Sequence, residues 1–288
     1  MPLHLCYAGR IMRTIELAGD LYPQVLQLAR LAGERILSIY KMDFAIEQKA
    51  DRSPLTLADL EAHRILKEGL AKLPPGWPVL SEEGTEIPWS ERRTWTCYWL
   101  IDPLDGTREF VKRNGEFTVN VALIENGEPI FGVVHAPALE ESYFGLLGVG
   151  AFFSRHENPW RRLHCVSAGR ALPRVLASRS HGDARLEHFL AQLGPHERLG
   201  LGSSLKFAHI ASGEADVYVR LGPTCEWDTA AGQCVLEAAG GAVTSLDFNR
   251  LQYNQKPSLH NPFFVAFGDR NVLPDRIEMD AGPGLSRS

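Results

Sequence analysis

The chain lacks the marks of several large protein classes. Its 288 residues hold only five cysteines, Cys6, Cys97, Cys165, Cys225 and Cys234. They are scattered, odd in number and never set as Cys-x-x-Cys, which points to reduced thiols in a cytosolic protein rather than a disulfide framework. No Asn-x-Ser/Thr sequon occurs, and no apolar run reaches the roughly 18 residues of a membrane span. There is no His-Glu-x-x-His and no Cys/His cluster, which argues against zinc. A Gly-x-x-x-x-Gly-Lys-Ser/Thr loop and the kinase signature set are both missing, so transfer from ATP is not expected. Excess positive charge is missing too. With 30 Lys+Arg against 35 Asp+Glu the net charge is −5, which argues against a nucleic-acid polymer or an anionic membrane as partner. A small anionic substrate stays open, since that depends on local charge. Internal repeats and low-complexity segments are absent.

What remains is an ordinary globular composition, 44% hydrophobic and 23% charged, of a length that suits one large domain or two smaller ones. The first residues, "MPLHLCYAGRIMRTIELAGD", have neither a basic start nor a long apolar segment and do not make a secretory signal. Met12 offers a second start, and residues 1–20 are expected to be a leader, disordered or non-native. Val25, Leu28, Ala32, Ile36 and Ile39 have helical spacing. A second helix is expected near "SPLTLADLEAHRILKEGLAKL". "YWLID" reads as a buried strand, and "FTVNVALIENGEPIFGVVHAP" as two strands about an Asn126-Gly127 turn. "SYFGLLGVGAFF" continues the sheet. Beyond residues 155–170 strand and helix alternate, ending in "WDTAAGQCVLEAAGG", a helix with a double-glycine stop. The expected fold class is α/β, of the α+β kind, with two intimately packed subdomains over 21–160 and 161–270 and a tail over 271–288.

Carboxylates stand where such a fold does not need them. They are Glu82 and Glu83 in "VLSEEG", Asp102 and Asp105 in "DPLDGT", Asp228 in "EWDTAAG" and Asp59 in "TLAD". Plain explanations exist for most of them. The glutamate pair suits a solvated loop, Asp228 suits the N-cap of the helix after it, and Asp59 lies three residues after Thr56, as in a capping box. "DPLDGT" is harder to explain this way. Asp102 closes a buried strand, Gly106 permits a tight turn, and "TREFVKRNG" starts a short helix whose free N–H groups suit a phosphate. Two aspartates beside an anion would repel it. A hard divalent cation between them resolves the conflict, and all-oxygen ligation suits Mg²⁺.

"SEEG", "DPLDGTREF" and "WDTAAGQCVLEAAGG", in this order, resemble the inositol monophosphatase-like superfamily of Mg²⁺-dependent, lithium-sensitive phosphatases. "KADRSPLTLAD", "DGTREFVKRNGEFTVNVALI", "ASRSH", "GSSLKF" and "GPTCEWDTAAG" resemble its bacterial 3′(2′),5′-bisphosphate nucleotidase branch. The resemblance spans roughly residues 22–268. The inositol-specific branch typically has Thr-Asn after "DGT", where this chain has Arg108-Glu109. The resemblance implies a layered αβαβα sandwich with two to three Mg²⁺ per active site. Glu82, Asp102 and the Leu104 carbonyl would hold the first ion, and Asp102, Asp105 and Asp228 the second. A third, weaker ion would sit near Glu82 through waters. Gly106 and Thr107 would meet the scissile phosphate, and Thr107 with Asp59, or Glu82, would orient and deprotonate the attacking water. Substrate contacts would also involve Glu82, Leu104, Asp105 and Asp228.

The implied reaction removes the 3′-phosphate of adenosine 3′,5′-bisphosphate, giving AMP and phosphate, with a further action on its 5′-phosphosulfate relative. Without a histidine or cysteine phosphoenzyme motif, direct attack by water is expected. A second phosphate needs its own cation, for which Lys206, Arg179 and Arg220 are candidates. Each also suits a solvated basic face, and Ser203 and Ser204 suit a helix cap as well as a substrate contact. The resemblance raises Ser204 and Lys206 above the others. An inositol or sugar phosphatase with the same metals is the nearest rival, told apart by a substrate panel. A non-catalytic binding protein on the same scaffold would lack Mg²⁺-dependent phosphate release. The further expectation is a cytoplasmic enzyme, monomer or homodimer, with peripheral seating on the inner face of the inner membrane as an alternative that the resemblance leaves open.

Overall fold

The computed structural model describes residues 3–41, 46–48, 54–156, 158–165, 171–177 and 184–279. Two sheets organise the chain. The first has seven strands in the order β3 (Val79–Ser81), β4 (Cys97–Asp105), β5 (Thr118–Glu125), β6 (Glu128–Ala136), β7 (Glu141–Leu146), β8 (Gly150–Arg155) and β9 (Arg161–Leu163). β3 runs parallel to β4, and every later neighbour pairs antiparallel. The second has five strands: β10 (Arg174–Ala177), β11 (Glu197–Gly200), β12 (Val217–Arg220), β13 (Ala242–Ser245) and β14 (Phe264–Phe267). Their spatial order is β11-β10-β12-β14-β13. A small hairpin pairs β1 (Ile46–Gln48) with β2 (Pro54–Thr56). The β5–β6 turn is the expected Asn126-Gly127, both at positive φ (52° and 84°), as a type I′ turn requires.

Alternation along the strands builds the layers. Trp99, Ile101, Val121, Leu123, Phe131 and Val133 face one side of the first sheet. They pack with α1 (Leu3–Tyr40) and α2 (Leu57–Leu70). Tyr98, Leu100, Ala122, Ile124 and Val134 face the other side. There they meet α6 (Leu205–Ala211), α7 (Ala230–Ala238) and Leu176, Tyr218 and Phe264 of the second sheet. The far face of that sheet, with Val175, Val217, Val219 and Val265, packs against α5 (Ala184–Leu193). The result is helix, sheet, helix, sheet, helix, the five-layer sandwich expected. α3 (Trp89–Arg92) and α4 (Thr107–Val111) are short helices flanking β4.

α7 reaches the first sheet closely because small residues line the contact. A Cβ on Gly145 would stand 2.7 Å from Val235 Cα, and one on Gly132 would stand 2.5 Å from the Ala231 carbonyl oxygen. Among the described residues no helix is long and apolar enough to cross a membrane.

Several expected boundaries shift. α1 runs through the boundary placed at residue 20, and Ala18 is fully buried, so the end of the expected leader is part of the core. The apolar period simply continues upstream of residue 21. β9 carries the first sheet past residue 160. The second helix starts at Leu57, and residues 54–56 ahead of it form β2, a three-residue strand that leaves too short a pattern to read.

Candidate active site

β3 and β4 are parallel, with Ser81 opposite Ile101, so the residues that follow leave the sheet side by side. Glu82, held by its N–H to the Ile101 carbonyl (3.3 Å), therefore stands beside Asp102. The β4–β5 ladder pairs Asp102 with Asn120 and Asp105 with Thr118, and its register shifts between the two aspartates. The bulge holds Pro103 and Leu104. Asp102 Oδ1 accepts from the Leu104 N–H (3.1 Å), and Thr107 Oγ1 donates over a long 3.4 Å to the Leu104 carbonyl. Gly106 caps α4 at φ 90°, a left-handed backbone that favours glycine, and Thr107 opens the helix.

Asp228 arrives from the other sheet's side, on a 3-10 turn spanning Glu226–Asp228. It is not the N-cap of α7. Its Oδ2 accepts from the Cys225 N–H (2.8 Å), closing its own turn, and Thr229 takes the cap position. Glu82, Asp102 and Asp228 converge, each with a ligand oxygen within 4.8 Å of the others. Asp59, in the first turn of α2, is buried and near enough for its charge to act on Asp102.

The electrostatics are severe. Burial first, then Glu82, Asp105, Asp228 and Asp59, hold the Asp102 carboxyl well above the usual carboxylate range. Burial first, then Asp105 and Glu82, push Asp228 up to about 8. Carboxylates this close, with Asp102 buried among them, need a cation or protons. The oxygen-only donor set fits a hard divalent cation. Two buried oxygens beside it, Asn120 Oδ1 and Thr118 Oγ1, find no hydrogen-bond partner among the described residues.

Asp105 lies close enough for its charge to act on both Asp102 and Asp228. Its Oδ2 accepts from the Ser204 N–H (2.6 Å) and the Ser204 hydroxyl (2.7 Å). Ser204 stands at the N-cap position of α6 yet makes no capping bond. Lys206 Nζ, half-buried, donates to the Ser203 carbonyl (3.0 Å) and lies 5.1 Å over the Tyr218 ring. Desolvation lowers its pKa to about 8 against the opposing pull of Asp105, and Arg220 lowers it further. Arg220 donates to the Pro223 carbonyl (3.0 Å), and its charge acts on Asp228. Lys206 on α6 and Arg220 at the end of β12 thus bring positive charge near the acids. Arg179 lies outside the described residues.

Asn120 escaped notice at the sequence level. It is a buried amide that donates to Ser204 Oγ (2.9 Å). The signal was there, as an amide set between Val119 and Val121 in the apolar run "VNVALI". Glu116, whose Oε2 takes the Gly202 N–H (2.7 Å), was missed as well.

Comparison with known proteins bears on fold and family. The inositol monophosphatase family model matches residues 20–264. The 3′(2′),5′-bisphosphate nucleotidase CysQ of Escherichia coli strain K12 is 48% identical over 245 residues, covering 84% of this chain and 97% of that protein. The crystal structure of CysQ from Bacteroides thetaiotaomicron, a bacterial member of the inositol monophosphatase family, superposes with a TM-score of 0.75. It shares 40% identity and covers 85% of this chain and 96% of its own. The extragenic suppressor protein suhB of Bartonella henselae superposes at 0.73 with 25% identity, covering 88% and 95%. The fold, the convergent acids and these likenesses lead to one statement: the chain belongs to the inositol monophosphatase family.

Proposed function

We propose that this chain is a Mg²⁺-dependent phosphatase that removes the 3′-phosphate from adenosine 3′,5′-bisphosphate by direct attack of water. The observation that carries the reading is the convergence of Glu82, Asp102 and Asp228 at the carboxyl end of β3 and β4, beside the Gly106 turn that opens α4. The substrate class follows relatives named as 3′(2′),5′-bisphosphate nucleotidases at 48% identity over most of both chains.

Glu82, Asp102 and the Leu104 carbonyl would hold one Mg²⁺, and Asp102, Asp105 and Asp228 a second, with a third more weakly near Glu82. Bound there, the ions would lower the pKa of a water and offset charge on the leaving oxygen. The chain's own groups do the rest. Gly106 and Thr107 present N–H and hydroxyl donors to the phosphate oxygens. Thr107 with Asp59, or Glu82, orients the attacking water and takes its proton. Burial keeps Asp102 dry, which strengthens its hold on any cation it meets. Lys206 and Arg220, close enough for their charges to act on each other, offer the positive charge that a second phosphate needs. Arg179 is a further candidate from sequence.

The test is product identity. Adenosine 3′,5′-bisphosphate should yield AMP, with inositol 1-phosphate and fructose 1,6-bisphosphate turned over far more slowly. Formation of adenosine 3′-phosphate, or a preference for inositol or sugar phosphate, would overturn the substrate assignment.

A further inference from the structure

Ser204 is placed by sequence among the substrate contacts, but its polar atoms are already engaged. It is 1% exposed. Its N–H and hydroxyl both reach Asp105 Oδ2, at 2.6 and 2.7 Å. The hydroxyl also lies 2.8 Å from the Asp228 carbonyl oxygen. Asn120 Nδ2 donates to the same hydroxyl at 2.9 Å and reaches Asp105 Oδ2 at 3.4 Å. One hydroxyl thus accepts from β5 and shares its single proton between an acid on β4 and the backbone of the turn bearing Asp228. No proton is left over to donate to a substrate phosphate.

The surroundings fix this arrangement. Glu116 Oε2 takes the Gly202 N–H (2.7 Å) just before Ser204. A Cβ on Gly202 would stand 2.7 Å from the Glu116 carbonyl, so only glycine lets the two loops lie this close. A Cβ on Gly106 would stand 3.3 Å from Ser203 Cβ. The "DGT" turn of the first sheet and the "GSS" loop of the second subdomain are therefore in direct contact at this point.

We propose that Ser204, braced by Asn120, is a positioning residue that locks Asp105 against the Asp228 turn, so that the acids from the two halves of the molecule meet a divalent cation as a set already in place. The hydroxyl holds one oxygen of Asp105 and leaves the other for the cation. Like charges drift apart when nothing restrains them, and the cost of bringing them together is met in folding rather than at binding. The inference rests on the metal reading above.

The experiment is calorimetric titration of Mg²⁺ into the full chain, with activity measured alongside. Wild type should bind. Ser204→Ala should bind about tenfold more weakly, and Ser204→Thr should return to within about threefold of wild type, since it keeps the hydroxyl. Asn120→Ala should weaken binding about threefold, and the double variant should be little worse than Ser204→Ala alone, because both act through one hydrogen-bonded unit. The Mg²⁺ needed for half-maximal phosphate release should rise in the same ratios, while KM for the bisphosphate at saturating Mg²⁺ stays unchanged. Unchanged Mg²⁺ affinity in Ser204→Ala would overturn the inference. If KM rose at the same time, Ser204 would be a substrate contact after all. Unchanged affinity with a lower melting temperature would make it a packing residue. No Mg²⁺ binding by wild type would instead overturn the metal reading, and this inference with it.

Discussion

Asp228 shows at the residue scale how function and stability oppose each other. It is pressed by its own burial and by Asp105 and Glu82, and its carboxylate has no nearby compensation as strong as that opposition. Replacing it with Asn removes a repelled charge while keeping the shape that accepts from the Cys225 N–H. Asp228→Asn should therefore lose at least about a hundredfold in phosphate release, on the scale of removing a direct charge-stabilising group. Its melting temperature in EDTA should match or exceed wild type. A fall in activity accompanied by a clearly lower melting temperature would mean that Asp228 serves the fold first. His135 gives a pH-dependent counterpart remote from the acids. It sits in β6 under α1, with Nδ1 near the Glu141 carbonyl (3.1 Å) and Ser142 Oγ (3.0 Å). Burial lowers its pKa to about 4, against the opposing pull of its backbone hydrogen bond, and Arg30 lowers it further. The unfolded chain takes up this proton near 6.5 and the folded one only near 4, so the unfolded state binds more protons between them. Stability should thus fall as pH falls through that window, by about 3 kcal/mol in all. Denaturant melts at pH 7 and pH 4.5 should show a smaller loss for His135→Gln than for wild type. Equal losses would contradict the assignment.

Elements carry the site because two of them approach without side chains in the way. α7 lies on the first sheet over Gly132 and Gly145, and a Cβ at Gly145 would meet Val235 Cα and the Cys234 carbonyl, neither of which is a flexible side-chain end. Gly145→Val should destabilise by about 2–3 kcal/mol through overpacking, read as a lower denaturant midpoint with the slope unchanged. A neutral result would mean that α7 can slide, and that the turn holding Asp228 is not set by this contact. The loop after β13 supports the same turn from below. Glu226 Oε2 takes the Asn254 N–H (2.8 Å), while Arg92 Nη1 donates to Asn254 Oδ1 (2.6 Å) and Asn254 Nδ2 to the Arg92 carbonyl (2.6 Å). All three residues are buried. Asn254→Ala should cost about 1–3 kcal/mol by leaving the guanidinium and a carbonyl short of partners, and a denaturant melt checks it. The elements themselves were largely legible in the sequence. Apolar period, the Asn126-Gly127 turn and the double-glycine stop placed most strands and helices. The acids at "SEEG" and "DPLDGT" stood out because each ends an apolar run. What the sequence hid was partnership across elements. Asp228 looked like a cap and Ser204 like a cap or a ligand contact, since both residue types suit those roles locally. Only the approach of the second sheet gives Ser204 its three partners and leaves the cap of α7 to Thr229.

At the scale of the whole molecule, the two sheets exist in register for one place. The first sheet delivers Glu82, Asp102 and Asp105 at the ends of adjacent strands, and the second half delivers Asp228, Lys206 and Arg220. Acids from both halves converge at one point with two cations close by, within a chain whose net charge is only −5. A cation and a phosphorylated substrate are the pair that such a grouping suits. The most direct measurement is phosphate release from adenosine 3′,5′-bisphosphate by the full chain with Mg²⁺, then with EDTA, then with Mg²⁺ restored in excess. Release that stops with EDTA and returns with Mg²⁺ is the predicted result. Release that persists undiminished in EDTA, or none at all from folded protein in Mg²⁺, would contradict it.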